Sequence, residues 1–409
     1  MIRRGHGFLN APGPTHIPER VLNAMRRQAI DLEDEELTAA IEHCFSGLKP
    51  VFGTTQAEIF IYAGNGHGAW ESAIANTMSA GDKVLVPQTG HFSTGWAEMA
   101  ESFGIDCEIL PNDLRVATDP AKIAACLDAD KSHKIKAVMQ VHTDTSTGVT
   151  HDIKAIHEAI AATGHPALYM VDSVAALGTC AFEMDAWGID VAVTASQKGL
   201  MCPPGLGIVA ASARALEAHK TSTAPRRYWD WSQRRHTAHY RAFGGTCPEH
   251  LIFALDEALR MIEEEGLEAI YRRHFHLAEA VRRAVDVWAE GGALEIHALH
   301  PAERSNGVTA IRTAEGIDPV ELRLLVRQMM RTSVAGGLGQ LRGRAFRIGH
   351  LGDLNEPMIL GSLAAVETSL EMLDIAHQKG GVTAAIDYIA GIKKTELAAA
   401  RAALREKAA

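Results

Sequence analysis

Four features of this 409-residue sequence have residue types and positions that could carry out chemistry together. The segment Gly64–Gly68 follows one predicted strand and opens a predicted helix at Ala69, so its backbone N–H groups could approach a phosphate. Asp172 comes directly after the apolar run Ala167–Val171, where a carboxylate is costly unless a cation faces it. This carboxylate could pair with a protonated ring nitrogen, or it could cap a following helix.

The other two features are a lysine and an arginine. Lys198 follows the predicted strand Asp190–Thr194 in apolar, turn-rich surroundings, where a desolvated lysine can form a Schiff base. Arg347 lies in a strand-like apolar run and could bind a carboxylate through two hydrogen bonds. A surface lysine and a structural ion pair are the alternatives. Together the four features match what pyridoxal phosphate chemistry requires: a phosphate cradle, a pyridinium partner, a Schiff-base lysine and a carboxylate-binding arginine.

Alternating strands and helices between about residues 19 and 260 are predicted to position these residues. The predicted strands are Glu58–Ala63, Lys83–Pro87, Ile135–Val141, Ala167–Val171 and Asp190–Thr194, and the predicted helices include Ala69–Ser79, Trp96–Phe103 and Ile153–Thr163. Such alternation indicates an α/β domain with a mostly parallel sheet, in which ligands bind outside the carboxyl ends of the strands. We therefore expect the chemistry at that edge.

The chain is predicted to divide into four parts. Prolines indicate an extended N-terminal arm over residues 1–18, and a large cofactor-binding domain follows over residues 19–270. A smaller C-terminal α+β domain is predicted over residues 271–378, after a mainly helical stretch. The Ala-rich residues 379–409 predict a terminal helical tail.

Composition and charge exclude several classes of protein. The 40 Lys and Arg residues against 50 Asp and Glu give a net charge of −10, so no nucleic-acid partner is expected. The basic and aromatic run Arg226–Trp231 is interpreted as a subunit-facing segment or part of a substrate entrance. No run approaches the ~18 consecutive apolar residues of a membrane span, so no membrane partner is expected either.

Cysteine and histidine usage indicates the compartment and argues against a metal site. The 6 cysteines form no CxxC pair and the 20 histidines form no HExxH motif, so no metal is expected. Scattered thiols in so long a chain are typical of a reducing compartment. The N-terminus also lacks the roughly 7–15-residue apolar segment of a secretory signal, and we expect a cytoplasmic protein.

Several motifs in the right order resemble one known family. Val171–Val174, Ser196–Gly199 with Pro203–Gly205, and Phe346–Asp353 resemble the class V aminotransferases of fold type I, in the serine–, alanine– and aspartate–glyoxylate group. The similarity runs from Ala11–Thr15 to about residue 373. It implies the PLP-dependent transferase fold, pyridoxal 5'-phosphate as cofactor, and a homodimer with shared active sites. It also implies ping-pong transfer from a small L-amino acid to glyoxylate, with serine favoured and aspartate or alanine as alternatives.

The resemblance implies a role for each matched residue. Lys198 would form the Schiff base, and Arg347 would bind the substrate carboxylate. Around the cofactor ring, Asp172 would bind the pyridine nitrogen, Val174 would pack under the ring, Phe92 would stack on it, and Thr145 would bond the phenolic oxygen. Gly66 and His67, with Gln197, would meet the phosphate, and Thr246 would reach the partner subunit's phosphate. The chain departs from the family at Phe243, where a phosphate-binding tyrosine is common. Either Tyr240 takes that role or the phosphate has one bond fewer.

Other interpretations of the function stay open at this point. A pyridoxal phosphate lyase or desulfurase is one, although a desulfurase needs a cysteine in the second domain and all six lie before residue 250. A non-catalytic pyridoxal phosphate-binding protein is another, although Asp172, Lys198 and Arg347 are all present. A nicotinamide dehydrogenase would need a GxGxxG motif after its first strand, and the sequence has none there.

Overall fold

The computed structural model describes residues 6–235 and 239–408. The strands are β1 (Phe8–Asn10), β2 (Glu58–Ala63), β3 (Lys83–Pro87), β4 (Asp106–Leu110), β5 (Ile135–Val141), β6 (Thr143–Asp144), β7 (Val149–Thr150), β8 (Leu168–Asp172), β9 (Val191–Ala195), β10 (Leu206–Ala211), β11 (Leu294–Ile296), β12 (Val308–Thr313), β13 (Thr332–Gly336) and β14 (Ala345–Gly349). The helices are α1 (Glu19–Met25), α2 (Glu35–Val51), α3 (Gly66–Thr77), α4 (His91–Ser102), α5 (Pro120–Ala129), α6 (Ile153–Ala162), α7 (Ala213–Thr221), α8 (Glu249–Glu265), α9 (Leu267–Ala289), α10 (Pro319–Met329), α11 (Glu356–Met372) and α12 (Gly381–Ala408). Short 3₁₀ helices occur in the connections, at Trp231–Gln233, Tyr240–Phe243, Pro301–Glu303 and Gly339–Leu341.

The first two thirds of the chain form a seven-stranded sheet in the order β2–β10–β9–β8–β5–β3–β4. Neighbouring strands from β4 to β9 pair in parallel. β10 is antiparallel to both of its neighbours, β9 and β2. The carboxyl ends of the other six strands therefore meet at one edge, where a ligand site is expected in such a sheet.

Helices cover both faces of this sheet. On one face α2, α6 and α8 bury apolar side chains such as Ile41, Ile156 and Leu255 against the strands. On the other face α3 and α4 contribute Trp70 and Trp96, and α7 packs beside them. Because both faces are covered, strands such as β8 and β9 are buried along their whole length and do not alternate between buried and exposed residues.

A second, five-stranded sheet is ordered β1–β13–β14–β12–β11. β13, β14, β12 and β11 pair antiparallel, whereas β1 of the N-terminal arm pairs in parallel with β13. Side chains of α9, α10 and α11 form the core beside this sheet, and α12 packs along α9. The arm thus supplies an edge strand to a sheet whose other strands lie beyond residue 290.

The predicted elements agree with the structure apart from their ends. The strands predicted at β2, β3 and β5 are confirmed in full, and those at β8 and β9 are shifted by one residue. Two helices begin earlier than predicted: α3 begins at Gly66 rather than Ala69, and α4 at His91 rather than Trp96. Their first turns are glycine-rich or polar, so the apolar pattern does not extend to them. None of the described helices is long and apolar enough to cross a membrane.

Candidate active site

The carboxyl ends of the parallel strands border a cavity of about 300 Å³, at the lower end of the size typical of small-molecule sites. The sequence-predicted residues that line it are Gly66, His67, Phe92, Thr145, Asp172, Val174, Gln197 and Lys198. The sequence did not single out the other lining residues as ligands: Gly13, Pro14, Asn65, Trp70, Thr143, Ala175 and Pro204. Two predicted site residues, Arg347 and Thr246, lie outside this lining.

The N-terminus of α3 faces the cavity. Asn65 caps the helix, and its Oδ1 accepts a hydrogen bond from the Gly68 N–H at 3.1 Å. The N–H groups of Gly66 and His67 have no acceptor among the described residues, as is usual for the first turn of a helix. Gly207 in β10 permits the close packing, since a Cβ there would lie 2.5 Å from the Asn65 carbonyl oxygen. This helix end is suited to bind an anion.

Asp172 is the last residue of β8 and is only 4% exposed. Its Oδ1 accepts a hydrogen bond from the Val174 N–H at 2.8 Å, in a turn that does not lead into a helix. The helix-capping alternative therefore does not apply. Burial raises the pKa of the Asp172 carboxyl to about 7. A cationic group in the cavity would favour the ionised form, so the carboxylate is suited to a charged partner.

Lys198 follows β9 and is buried at the same edge of the sheet. Burial, together with the positive charge of Arg347, lowers the pKa of its amine to about 8. The Nζ donates a hydrogen bond to the Pro12 carbonyl oxygen in the N-terminal arm. A buried lysine with a lowered pKa is a better nucleophile than a solvated one, and the surface alternative does not apply.

The N-terminal arm forms one wall of the cavity, directly against this lysine. The Thr15 N–H donates to the Gln197 carbonyl at 3.2 Å, and its hydroxyl donates to the Lys198 carbonyl at 3.4 Å. Gly13 has a φ of +115°, and a Cβ there would clash with the Lys198 side chain. A Cβ at Gly349 of β14 would clash with the arm backbone in the same way. Glycine is therefore required at both positions for the arm to lie where it does.

Arg347 reaches the site from β14 in the second sheet. Its Nη1 donates to the Thr145 carbonyl at 2.8 Å, and its Nε donates to the Gly336 carbonyl at 2.7 Å. Burial lowers its pKa to about 10, so the guanidinium stays charged at neutral pH. No carboxylate of the described residues lies within 4.0 Å of it. The structural ion pair is therefore not observed, and the Nη2 group is left without an acceptor in the described part of the chain.

Asp144 and Trp70 are buried beside the cavity and were not singled out from the sequence. Asp144 accepts hydrogen bonds from the Phe92 N–H and the Ser146 N–H, both at 2.9 Å, and so joins the start of α4 to the turn after β6. The Trp70 ring lies 6.2 Å from the Phe92 ring in an edge-on arrangement. Asp144 follows a predicted strand closely, as Asp172 does, and that position was the signal that could have found it.

Thr246 lies away from the cavity and is exposed. Phe243 is buried in the core of the large sheet, with its ring 6.4 Å from that of Phe45. Tyr240 packs against the same core and is partly buried. Within one chain, Thr246 is not part of the cavity that holds Lys198 and Asp172. A contact between Thr246 and a phosphate therefore requires a second copy of the chain.

The whole chain is similar to known aminotransferases. The family model described as aminotransferase class-V matches residues 7–338. The serine–glyoxylate aminotransferase of Methylorubrum extorquens is 41% identical over 95% of this chain and 97% of its own length. The L-aspartate–glyoxylate aminotransferase of Paracoccus denitrificans is 39% identical over 92% and 94%, respectively. The crystal structure of the ureidoglycine–glyoxylate aminotransferase of Bacillus subtilis superposes with a TM-score of 0.86 at 26% identity, covering 95% and 99%.

This chain belongs to the class V aminotransferase family. Membership confirms the resemblance noted from the sequence, the α/β fold of type I, and the prediction of a transaminase. It also identifies pyridoxal phosphate as the cofactor. The dehydrogenase, lyase and non-catalytic readings are thereby set aside.

Proposed function

We propose that this enzyme transfers the amino group of a small L-amino acid, serine first, to glyoxylate in two half-reactions at Lys198. The observation on which the proposal rests is the cavity in which the buried amine of Lys198 and the buried carboxylate of Asp172 lie at the N-terminal end of α3. Relatives at 41% and 39% identity are named for glyoxylate, which supports the acceptor. Aspartate and alanine are the alternative donors.

The residues around the cavity suit the chemistry of pyridoxal phosphate. Asp172 is a buried carboxylate with a raised pKa, which a protonated ring nitrogen would stabilise in its ionised form. The N–H groups of Gly66 and His67, with Gln197 nearby, would hold the phosphate; Phe92 and Val174 would cover the ring, and the Thr145 hydroxyl would bond its phenolic oxygen. When bound, the cofactor withdraws electrons from the substrate's α-carbon.

Lys198 would move the proton in each half-reaction. A pKa of about 8 makes its amine both a competent base and a competent acid near neutral pH. The hydrogen bond to the Pro12 carbonyl orients the Nζ when the amine is free. The same amine would take the proton from the substrate's α-carbon and then release it, so no second base is needed. Asp172 would act by holding the ring nitrogen in its charged form.

Arg347 would bind the substrate carboxylate. Two carbonyl acceptors, on Thr145 and Gly336, fix the plane of its guanidinium and leave Nη2 for the ligand. Arginine suits this task because its donors match the two oxygens of a carboxylate. The fixed guanidinium would therefore orient the substrate before the α-proton is removed.

The charge of the cavity favours a donor with a small neutral side chain. Among the described lining residues, the basic side chains are those of Lys198 and His67. Burial, with the nearby His91, lowers the pKa of His67, which favours its neutral form. Arg226, the first residue of the basic and aromatic run, donates to the backbone carbonyl of Ser222 at 2.8 Å and is not among the lining residues. With no guanidinium in this lining, and with Arg347 outside it assigned to the α-carboxylate, serine or alanine fits better than aspartate.

Assembly and location complete the proposal. We infer a homodimer, since Thr246 is exposed and could serve a phosphate only on another copy. A cytoplasmic location is supported by the six free cysteines, none of which pairs in a disulfide in the described chain. A monomer by light scattering would contradict the role of Thr246. It would leave the role of Lys198 unaffected.

The test is the visible absorbance of the protein loaded with pyridoxal phosphate. L-serine, L-alanine and L-aspartate are added separately, and glyoxylate is added afterwards. We expect serine to remove the cofactor band most efficiently and glyoxylate to restore it. If aspartate alone removes the band, the assignment of serine as the donor is wrong, but the assignment of the enzyme as a transaminase stands.

Lys198→Ala should lower turnover by about 10³-fold or more, because it removes both the attachment point and the base. The rate of amino transfer from serine to glyoxylate is measured on the wild type and on the variant, each loaded with pyridoxal phosphate. Transamination by this variant at the wild-type rate would contradict the role given to the lysine. Lys220→Ala, an exposed lysine paired with Glu217, is the matched control and should retain full activity.

A further inference from the structure

The half-buried indole of Trp229 lies against the glycines that form the start of α3. A Cβ added at Gly68 would lie 2.9 Å from Trp229 Cη2, and one added at Gly64 would lie 3.9 Å from the same atom. The six-membered part of the indole therefore abuts the backbone of the segment whose N–H groups face the cavity. Trp229 itself is not among the residues that line the cavity.

Hydrogen bonds fix Trp229 to the body of the same helix. Its carbonyl oxygen accepts from the Asn76 Nδ2 at 2.8 Å and from the Tyr62 hydroxyl at 3.0 Å. The Trp231 N–H donates to the Asn76 Oδ1 at 3.0 Å, and the Ser72 hydroxyl bonds the Tyr62 hydroxyl at 2.7 Å. The segment thus runs along α3 and is held by Asn76, more than two turns from the helix start.

The other side of the helix start is held by the sheet. Gly207 of β10 packs against the Asn65 carbonyl, and the Gly64 N–H donates to the Gly205 carbonyl at 2.9 Å. The N-terminal turn of α3 is therefore confined between β10 and the Trp229 indole. A confined donor pair loses little freedom when an anion binds, which strengthens binding without any added contact.

We propose that Trp229 is a positioning residue for the cofactor phosphate, acting through Gly68 to hold the N–H groups of Gly66 and His67. The inference rests on the proposed function, since it places the phosphate at α3. It also gives the basic and aromatic run Arg226–Trp231 a role within its own subunit. Trp229 touches neither substrate nor cofactor in this scheme, so its effect is on affinity and not on the chemistry.

The first experiment compares two ligands, pyridoxal phosphate and pyridoxal, which differ only in the phosphate. Their dissociation constants are measured by absorbance on the cofactor-free protein and on Trp229→Ala. We expect the affinity for pyridoxal phosphate to fall about tenfold or more, as for the weakening of one charged hydrogen bond, while that for pyridoxal changes little. An equal loss for both ligands, or no loss, would overturn the proposal.

Trp231→Phe is the matched control. This tryptophan is fully buried two residues away, and its Nε1 donates to Ser72 at 3.2 Å, but it does not contact the glycines. The variant should lower the melting temperature and keep the wild-type ratio of the two affinities. If this control also lost affinity for pyridoxal phosphate but not for pyridoxal, the effect would belong to the whole segment. That result would contradict a specific role for Trp229.

A double-mutant cycle keeps the test open if Trp229→Ala does not fold. Gly68→Ala adds a methyl group towards Trp229 Cη2, and Trp229→Phe removes that atom. We expect Gly68→Ala to weaken pyridoxal phosphate binding about tenfold in the wild type and clearly less in Trp229→Phe. Equal costs in the two backgrounds would show that the indole does not act through Gly68. If the wild type itself binds no pyridoxal phosphate, the proposed function fails and not this inference alone.

Discussion

Two buried carboxylates stand beside the same cavity and are held in different ways. Asp144 is fully buried, and its oxygens accept hydrogen bonds from the Phe92 and Ser146 N–H groups at 2.9 Å and from the Ser146 and Thr89 hydroxyls at 2.5 and 3.3 Å. Asp172 is nearly as buried but accepts one backbone hydrogen bond, from Val174 at 2.8 Å, with the Trp70 indole as its other polar neighbour. The first carboxylate is satisfied by its own chain, whereas the second has capacity left.

The difference separates a structural acid from one that serves a ligand. A buried carboxylate needs hydrogen-bond donors or a counter-charge, and one with few donors in its own chain is suited to bind a cationic ligand. Asp144 joins the start of α4 to the turn after β6, both of which border the cavity. Asp172 faces the cavity itself. Hydrogen-bond satisfaction, and not burial or strand position, distinguishes the two.

The largest effect is expected from Asp172→Asn. Turnover should fall by about 10³-fold, since an amide cannot hold a ring nitrogen in its protonated form. The fold should be kept, because the side chain accepts one backbone hydrogen bond in the described chain, from Val174, and its other polar neighbour is the Trp70 indole. Because the folded pKa of about 7 lies above the unfolded value, this group makes the unfolding free energy fall as pH rises from about 4 to 7. The variant should lack that contribution in denaturant titrations, and a large loss of stability with normal turnover would reverse the two roles.

The next largest effect concerns pH. The amine of Lys198 must be neutral to attach the cofactor, and its pKa is lowered to about 8. The rate at which the cofactor-free protein takes up pyridoxal phosphate should therefore rise about tenfold per pH unit up to pH 8 and level off above it. Stopped-flow absorbance from pH 6 to 10 measures this rate.

Arg347→Gln sharpens that experiment. Its positive charge contributes to the lowered pKa of Lys198, second to burial, so removing it should move the inflection to higher pH. A rate that keeps rising beyond pH 10 in the wild type would show an ordinary lysine. If the inflection is not shifted in the variant, the charge of Arg347 does not contribute to the lowered pKa of Lys198, and burial remains as its cause.

The smallest effect on turnover and the clearest effect on stability are expected from Asp144→Asn. An amide brings donors to face donors, so at least one of the four hydrogen bonds is lost, at a cost of about 2 kcal/mol in the free energy of unfolding. Thr89→Val is the control, since it removes only the 3.3 Å bond and should cost less. Chemical denaturation gives both values. If Asp144→Asn is as stable as the wild type but nearly inactive, Asp144 serves the ligand as well.

Residues at strand ends could be predicted from the sequence because apolar runs locate those ends. Asp172 and Lys198 follow such runs, and the structure brings both to one cavity with the glycines after β2. The antiparallel direction of β10 could not be predicted, because a strand buried on both faces has the same apolar composition in either direction. The resemblance, not the spacing, supplied the positions of Phe92 and Thr145.

Contacts between distant parts of the chain could not be predicted from the sequence. The pairing of β1 with β13 and the position of Gly13 against Lys198 depend on how the two sheets sit together. The packing of Trp229 on Gly68 depends on a chain path that no local pattern encodes. Asp144 shows the converse limit, since its position after a strand was visible but its hydrogen-bond partners were not.

The N-terminal arm has a consequence for how the protein is made. The arm is synthesised before β13 and β14, yet β1 pairs with β13, and Asn10 bonds the Gly349 carbonyl and the Ser362 hydroxyl. Chains emerge and fold from the N-terminus, so the large sheet can form while the arm still lacks its partners. The wall of the cavity beside Lys198 closes only when β13 and β14 have been synthesised. A truncated product of translation would therefore contain every residue of the large sheet and still lack a finished site.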